Sequence, residues 1–137
     1  MCSLTRGVSF TSSDRYGRSD WSAARNARHF GASTAGHSHD YACDGTVSGP
    51  LDEVTGMVVD LGALDRILDR EVRSRFHGKD ITTQVPQFAD GKLIPTGENI
   101  ARFIFDRVST GLQEPAAVTS VIVREAETIS SEYTGPS

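Results

Sequence analysis

Hydrophobic and polar positions recur along the chain at two spacings, one typical of strands and one typical of helices. Segments in which the two kinds of residue alternate predict strands, and segments with apolar residues three or four positions apart predict helices. The predicted strands cover residues 4–12, 37–48, 118–125 and 128–133, and the predicted helices cover residues 61–76 and 97–112. The order is therefore strand, strand, helix, helix, strand, strand.

This order predicts an α+β domain in which both helices cover one face of a four-stranded antiparallel sheet. We expect the first two strands to form a hairpin with a long connection. In the second strand, Tyr41 and Cys43 fall on one face, while Ala42 and Asp44 fall on the other. Cys43 is therefore expected to be packed and not reactive.

Each predicted helix is preceded by a residue that can cap it. Asp60 is a good N-cap for the first helix, and Thr96 can cap the second, with Asn99 at the third position. The apolar stripes are Leu61, Leu64, Ile67, Leu68 and Val72 in the first helix, and Ile100, Phe103, Ile104, Val108 and Leu112 in the second.

We expect one domain over residues 4–134, followed by a short tail at 135–137. Residues 15–36 are polar and rich in Gly, Ser, Ala and Arg, and they predict a long loop. Loops of this length are usually functional or mobile, so we expect this one to border the active site. Within this loop, the aromatic side chains of Trp21 and Phe30 can pack and hold part of the loop in place.

The net charge and the lack of long apolar stretches limit the kinds of binding partner that the sequence predicts. The formal net charge is −4, which gives no reason to expect nucleic acid or an anionic membrane surface as a partner. The chain has no apolar stretch long enough for a bilayer and no apolar N-terminal run typical of a signal peptide. We therefore expect a cytoplasmic protein in which Cys2 and Cys43 are reduced thiols.

The strongest candidate for metal chemistry is His37-Ser38-His39. On a strand, residues two apart point to the same face, so both imidazoles can reach one ion. A His-x-His pair is also common by chance, as two half-exposed polar side chains. A catalytic zinc usually takes three protein ligands, and the residues that could supply the third are Asp14, His29, His77 and Glu125.

Two further features could bind a planar ligand. Pro95-Thr96-Gly97-Glu98-Asn99 is explained by an ordinary helix start, but it also places Thr96 and backbone donors at a helix N-terminus. Glu125 follows a β-branched run. A carboxylate there is usually solvated, yet one that faces a pocket can accept two parallel hydrogen bonds from a planar N–C–N edge.

The order of these motifs resembles the 6-pyruvoyl-tetrahydropterin and 6-carboxytetrahydropterin synthases. The family pattern is Phe-x-x-x-His, Gly-His-Gly-His-Asn-Tyr, Gly-Met-x-x-Asp-Phe/Leu, Pro-Thr-x-Glu-Asn and a Glu near the end of a late strand. The matching blocks here are Phe10–Asp14, Gly36–Tyr41, Gly56–Leu61, Pro95–Asn99 and Val123–Glu125. The resemblance runs over roughly residues 6–133, nearly the whole chain.

The resemblance implies the tunnelling fold, in which the sheets of several copies close into a barrel in a homo-oligomer, a trimer or hexamer. Active sites then lie between subunits. It also implies a zinc, or another divalent metal, that binds oxygens on the side chain of a small heterocyclic substrate. His37 and His39 match two metal ligands, and Asp14 stands where a third, a histidine, is expected. The residues at the positions that anchor the pterin ring are Thr96, Glu98 and Glu125.

The chain departs from the family pattern in three places. Asp14 replaces a histidine ligand, so Asp14 completes the site, His29 swings in from the loop, or the metal is lost. The family's catalytic cysteine is absent, because residues 31–36 carry no thiol and Cys43 lies after the His pair. Finally, His77 falls on the Asp position of the family's Asp-His dyad. His77 is then either a shifted acid/base or a surface histidine at a helix C-terminus.

Three functions are compatible with this pattern. The first is a metal-dependent lyase or cyclase with altered chemistry, in which His77 moves protons and Glu125 orients the substrate. The second is a non-catalytic paralogue that binds a pterin. The third is the 6-carboxytetrahydropterin synthase reaction of 7-deazapurine biosynthesis, with rearranged acid/base residues.

Overall fold

A four-stranded antiparallel sheet is the centre of the fold in the computed structural model, which describes residues 1–89 and 91–137 and the backbone of residue 90. The strands are β1 (Cys2–Asp14), β2 (His37–Gly49), β3 (Ala117–Ala126) and β4 (Ile129–Tyr133), in the spatial order β1-β2-β3-β4. β1 and β2 pair along their full length as the predicted hairpin. The predicted sheet is therefore confirmed.

The helical elements follow in chain order. They are α1 (Ala23–Phe30), α2 (Leu61–Leu68), a π-helical segment (Asp69–Arg73), α3 (Ser74–Phe76), α4 (Ile81–Gln84) and α5 (Gly97–Gly111), with short 3₁₀ turns at Gly31–Thr34 and Ala89–Gly91. Within the part of the chain that the structure describes, no helix is both long and apolar enough to cross a bilayer.

The core lies between one face of the sheet and the helices α2 and α5. On the sheet side, Phe10, Tyr41, Cys43 and Val121 are almost completely buried, as the two-residue period predicted for Tyr41 and Cys43. Burying each large apolar side chain contributes about 1.5–3 kcal/mol. The opposite face of the sheet is polar, with hydroxyl pairs such as Thr5–Thr46.

Both predicted caps are present. The Asp60 carboxylate accepts a hydrogen bond from the backbone N–H of Ala63 at 3.3 Å, and the Thr96 hydroxyl accepts one from Asn99 at 3.2 Å. These bonds satisfy donors that a helix start leaves without partners. They fix where α2 and α5 begin.

The structure differs from the prediction at the ends and connections. β1 extends to Asp14, beyond the predicted residue 12, because the Ser12 hydroxyl donates to the Phe76 carbonyl and Ser13 bridges to Asp80. These partners lie more than sixty residues away along the chain. Local sequence pattern therefore could not show that the strand continues.

The segment predicted as a long loop contains α1. No residue of α1 is buried, so it lacks the apolar stripe that would predict a helix. Its first turn is capped by Ser22, whose hydroxyl accepts from the backbone N–H of Arg25 at 3.1 Å. The Arg25 guanidinium also lies over the Trp21 ring, 4.1 Å from its centre.

Candidate metal and substrate site

The β1–β2 register brings three potential metal ligands to one end of the hairpin. Asp14 lies directly opposite His37, and Ser12 lies opposite His39, so the two histidines and Asp14 share one face. One donor atom from each of Asp14, His37 and His39 lies within 4.8 Å of the others. The structure thus groups the three residues whose positions match the family's metal ligands.

Asp14 is an unusual carboxylate because it is only 1% exposed and because, among the described residues, only one of its two oxygens has a hydrogen-bond partner. Its Oδ2 accepts a hydrogen bond from the Tyr41 hydroxyl at 2.5 Å. Its Oδ1 has no hydrogen-bond partner among the described residues. Burial raises the pKa of Asp14, and the Tyr41 hydrogen bond and the two histidines oppose that rise.

The orphaned oxygen of Asp14 faces His37. His37 Nε2 lies 2.7 Å from Asp14 Oδ1, although the ring is not aligned to donate a hydrogen bond to it. His37 Nδ1 lies 3.1 Å from the Ala35 carbonyl, to which it can donate. In the neutral ring Nε2 is then a second acceptor, so two acceptors converge where a cation would sit. A buried orphaned carboxylate oxygen beside an acceptor nitrogen fits a divalent metal.

The other two candidate histidines lie elsewhere in the chain. His29 is on α1, where its ring lies 4.7 Å from the Trp21 ring, and it is not part of the ligand group. His77 follows α3, and its Nδ1 accepts a hydrogen bond from the backbone N–H of Thr11 at 3.1 Å. His77 therefore lies at the outer edge of β1, and no described contact joins it to Asp14, His37 or His39.

Glu125 lies next to the ligand group, near the end of β3. Its Oε2 is 3.7 Å from His39 Nε2, and its side chain is 10% exposed. Burial raises the pKa of Glu125; His39 opposes this rise, and Asp14 and Glu98 add to it. Asp14, Glu98 and Glu125 therefore give this end of the molecule a high density of hydrogen-bond acceptors.

The start of α5 approaches Glu125 so closely that only glycine fits there. A Cβ added at Gly97 would lie 3.0 Å from Glu125 Oε1 and 2.6 Å from the Ser131 hydroxyl. Glu98 accepts a hydrogen bond from the same hydroxyl at 3.1 Å. Thr96, Glu98 and Glu125 are thus grouped around one helix N-terminus, as the residues proposed to bind the substrate ring.

Tyr16 borders this site and was not anticipated from the sequence. Its ring meets the His37 ring edge to face, with the ring centres 5.8 Å apart. Burial raises the pKa of Tyr16 above its usual range, and the negative charges of Glu125, Asp14 and Glu98 raise it further. Continuing the two-residue period of β1 past Asp14 would have pointed to Tyr16, but the predicted strand ended at residue 12.

The segment before the His pair, residues 31–36, carries the hydroxyls of Ser33 and Thr34 and no thiol or carboxylate. The Thr34 hydroxyl donates to the Gly31 carbonyl at 2.9 Å, within the 3₁₀ turn. The Ser33 carbonyl accepts from the backbone N–H of Tyr16 at 2.7 Å. The one buried thiol, Cys43, lies in the core, where burial raises its pKa to about 12.

Known proteins match nearly the whole chain. The family described as 6-pyruvoyl tetrahydropterin synthase matches residues 4–136. A 6-pyruvoyl tetrahydrobiopterin synthase of Drosophila melanogaster is 31% identical over 135 residues, which are 97% of this chain and 79% of that protein. The Homo sapiens protein of the same name is 33% identical over 107 residues, 77% of this chain and 72% of its own.

A solved structure establishes the fold independently. The 6-pyruvoyl tetrahydropterin synthase of Caenorhabditis elegans superposes with a TM-score of 0.92 at 24% identity, covering 98% of this chain and 96% of its own. The likeness includes the four-stranded antiparallel sheet and the helices on one face. Family profile, relatives and fold agree: the chain belongs to the 6-pyruvoyl tetrahydropterin synthase family.

Proposed function

We propose that this protein is a metal-dependent lyase or cyclase that acts on a pterin or a similar planar nitrogen heterocycle, with chemistry altered from that of its relatives. The observation that carries the proposal is the buried Asp14 carboxylate, whose Oδ1 faces His37 without a hydrogen-bond partner. Leaving a buried polar group unsatisfied costs about 1–3 kcal/mol. A bound cation removes that cost.

Asp14, His37 and His39 are the residues that would hold the metal. A zinc ion with three protein ligands keeps one position open, where it polarises oxygens on a bound substrate. The Tyr41 hydroxyl holds Asp14 in place, and the Ala35 carbonyl holds His37. Because Asp14 brings a negative charge where the family has a neutral histidine, the site is a weaker Lewis acid, which is one source of altered chemistry.

Thr96, Glu98 and Glu125 would bind the heterocycle. The Glu125 carboxylate can accept two parallel hydrogen bonds from an N–C–N edge, as an aminopyrimidine ring presents. The Thr96 hydroxyl accepts the capping bond of α5 and keeps its own proton to donate. Glu98 lies beside Glu125, with both carboxylates close to Ser131.

His77 is the proposed acid/base, supplied to the site of a neighbouring copy. Within one chain it lies at the edge of β1, away from the metal ligands. β1 and β4 are the edge strands of the sheet, through which copies can pair to close a barrel. A homotrimer or homohexamer with sites between subunits would bring His77 of one copy to the ligands of the next.

One observation favours a second candidate, a non-catalytic paralogue that binds a pterin. In residues 31–36, the hydroxyl of Thr34 is used within its own turn, and no thiol or carboxylate is present. A paralogue that had kept the ring-binding residues but lost the groups for proton transfer would have this same set of residues.

Two measurements test the proposal. Protein purified without a tag is analysed for metal, and less than about a tenth of an equivalent per chain contradicts a metal-dependent enzyme. The metal-loaded protein is then incubated with 7,8-dihydroneopterin triphosphate and followed by mass spectrometry. Turnover supports the lyase, whereas tight binding without turnover supports the paralogue. His29→Ala serves as the control and should keep its metal, while His37→Ala should lose it.

A further inference from the structure

Tyr16 borders the candidate site, but it belongs neither to the proposed metal ligands nor to the residues proposed to bind the ring. It lies two residues after Asp14 and contacts the ring of His37, so it stands at the metal end of the site. Its side chain is partly buried, and its ring meets the His37 ring edge to face, with the ring centres 5.8 Å apart. Tyr16 therefore borders the metal end of the site.

The position of Tyr16 is held from several sides. Its backbone N–H donates to the Ser33 carbonyl at 2.7 Å, which ties it to the turn before β2. Its ring packs edge to face against Phe30, with the ring centres 6.1 Å apart, and in the same way against His37. A tyrosine fixed in this way loses little conformational freedom when a ligand binds.

Tyr16 also lines a cavity of about 420 Å³, together with Arg15, Asn26 and Thr82. The residue therefore contacts His37 and also borders open space. Its ring carries a hydrogen-bond donor at its tip, because a tyrosine phenol is protonated at neutral pH.

The Tyr16 phenol is a hydrogen-bond donor, whereas the carboxylates of the site are acceptors. Asp14, Glu98 and Glu125 are acceptors when ionised, and they match the N–H groups of a heterocyclic ring. Oxygens on the ligand need donors instead. Tyr16 supplies one beside His37, the end at which substrate oxygens would meet the metal.

We propose that Tyr16 is a substrate-binding residue whose phenol donates a hydrogen bond to an oxygen on the side chain of the bound heterocycle. This inference rests on the proposed function, since it requires that a heterocycle binds with its side chain toward His37. It makes Tyr16 a determinant of specificity for heterocycles with oxygenated side chains.

The test compares two fluorescent ligands on zinc-loaded protein: neopterin, which has a trihydroxypropyl side chain, and pterin, which has none. Tyr16→Phe keeps the ring and removes only the hydroxyl. It should weaken neopterin binding on the order of tenfold, the usual limit for one neutral hydrogen bond, and leave pterin binding unchanged. Tyr133→Phe, a tyrosine packed on Phe105 in β4, is the matched control and should change neither affinity.

Several results would overturn the inference. Equal weakening of both ligands by Tyr16→Phe would mean a structural role, and unchanged binding of both would mean no role for the hydroxyl. A wild-type protein that holds zinc but binds neopterin no more tightly than pterin would overturn the inference and leave the proposed function standing. A wild-type protein that holds no zinc and binds neither ligand would overturn both.

Discussion

Among the side chains that the structure describes, two carboxylates are almost completely buried, and their surroundings are opposite. Glu71, in the π-helical segment, is 5% exposed and accepts hydrogen bonds from Arg75 and Arg107, with Arg70 also 3.7 Å away. Asp14 is 1% exposed and receives a single hydrogen bond, from Tyr41. One carboxylate is fully compensated by the chain itself, whereas the other is not.

The pKa values of Glu71 and Asp14 are shifted in opposite directions because only Glu71 is paired with arginines. Burial alone would raise the pKa of Glu71, but the hydrogen bonds from Arg107 and Arg75 outweigh it, and the pKa is lowered. At Asp14 burial prevails and the pKa is raised. Glu71 therefore serves the stability of the fold, whereas the unsatisfied oxygen of Asp14 is the observation that supports the proposed metal site.

The largest expected effect on stability comes from Glu71→Gln. Removing the negative charge leaves Arg75 and Arg107 without their counter-ion. Because these arginines keep some exposure to solvent, the loss of their charge-assisted hydrogen bonds should cost about 1.5–3 kcal/mol of unfolding free energy. Urea unfolding followed by circular dichroism measures it. Asp65→Asn, which breaks only the exposed pair with Arg6, should cost less than about 1 kcal/mol, and zinc affinity should be unchanged in both variants.

Tyr41→Phe gives the next largest effect and sharpens the comparison at Asp14. It removes the hydrogen bond from Tyr41 to the Asp14 carboxylate, so it should cost about 1–2 kcal/mol in unfolding free energy. It should also weaken zinc binding by about 10-fold to 100-fold, the usual effect of losing a partner behind a metal ligand. Competition with a chromophoric chelator measures the affinity, and an unchanged value would argue against Asp14 as a ligand.

The smallest effect is the pH dependence of the Glu71 network. Because the pKa of Glu71 in the folded protein lies below its ordinary value of 4.5, its stabilising effect is fully present well above that pH and is lost as the pH falls through the folded pKa. The difference in unfolding free energy between wild type and Glu71→Gln should therefore shrink in acid. A difference that grows as the pH falls would contradict the assignment to Arg70, Arg75 and Arg107.

Much of the fold could be predicted from the sequence because its pattern is local. Period-two alternation predicted β1 and β2, the β-branched run from Val118 predicted β3, and the apolar stripe that begins at Leu61 located the first long helical stretch. The π-helical segment within it could not be predicted from a 3.6-residue period. Both Glu71 and Val72 are buried in this segment, Val72 in the hydrophobic core and Glu71 against Arg107, which is distant in the chain.

The candidate site also contains some residues that could be predicted from the sequence and others that depend on tertiary packing. His37 and His39 could be placed together from strand geometry, and Asp14 could be added to them only from the motif order, because it lies beyond the predicted end of the first strand. Tyr16 was missed because its contacts with Phe30 and His37 depend on α1, a helix with no buried face. His77 could be located at a helix end, but its bond to Thr11 at the sheet edge depends on tertiary packing.

The most direct test of the account is the unfolding free energy of wild type and Asp14→Asn, each without zinc and with zinc at about 100 times its dissociation constant. Without zinc, Asp14→Asn should be as stable as wild type or up to about 1 kcal/mol more stable, because it removes an uncompensated buried charge. With zinc, wild type should gain about 2.7 kcal/mol and Asp14→Asn less than half of that. A variant that is less stable than wild type without zinc, together with a wild type that gains nothing from zinc, would contradict the central claim that Asp14 is buried to hold a metal.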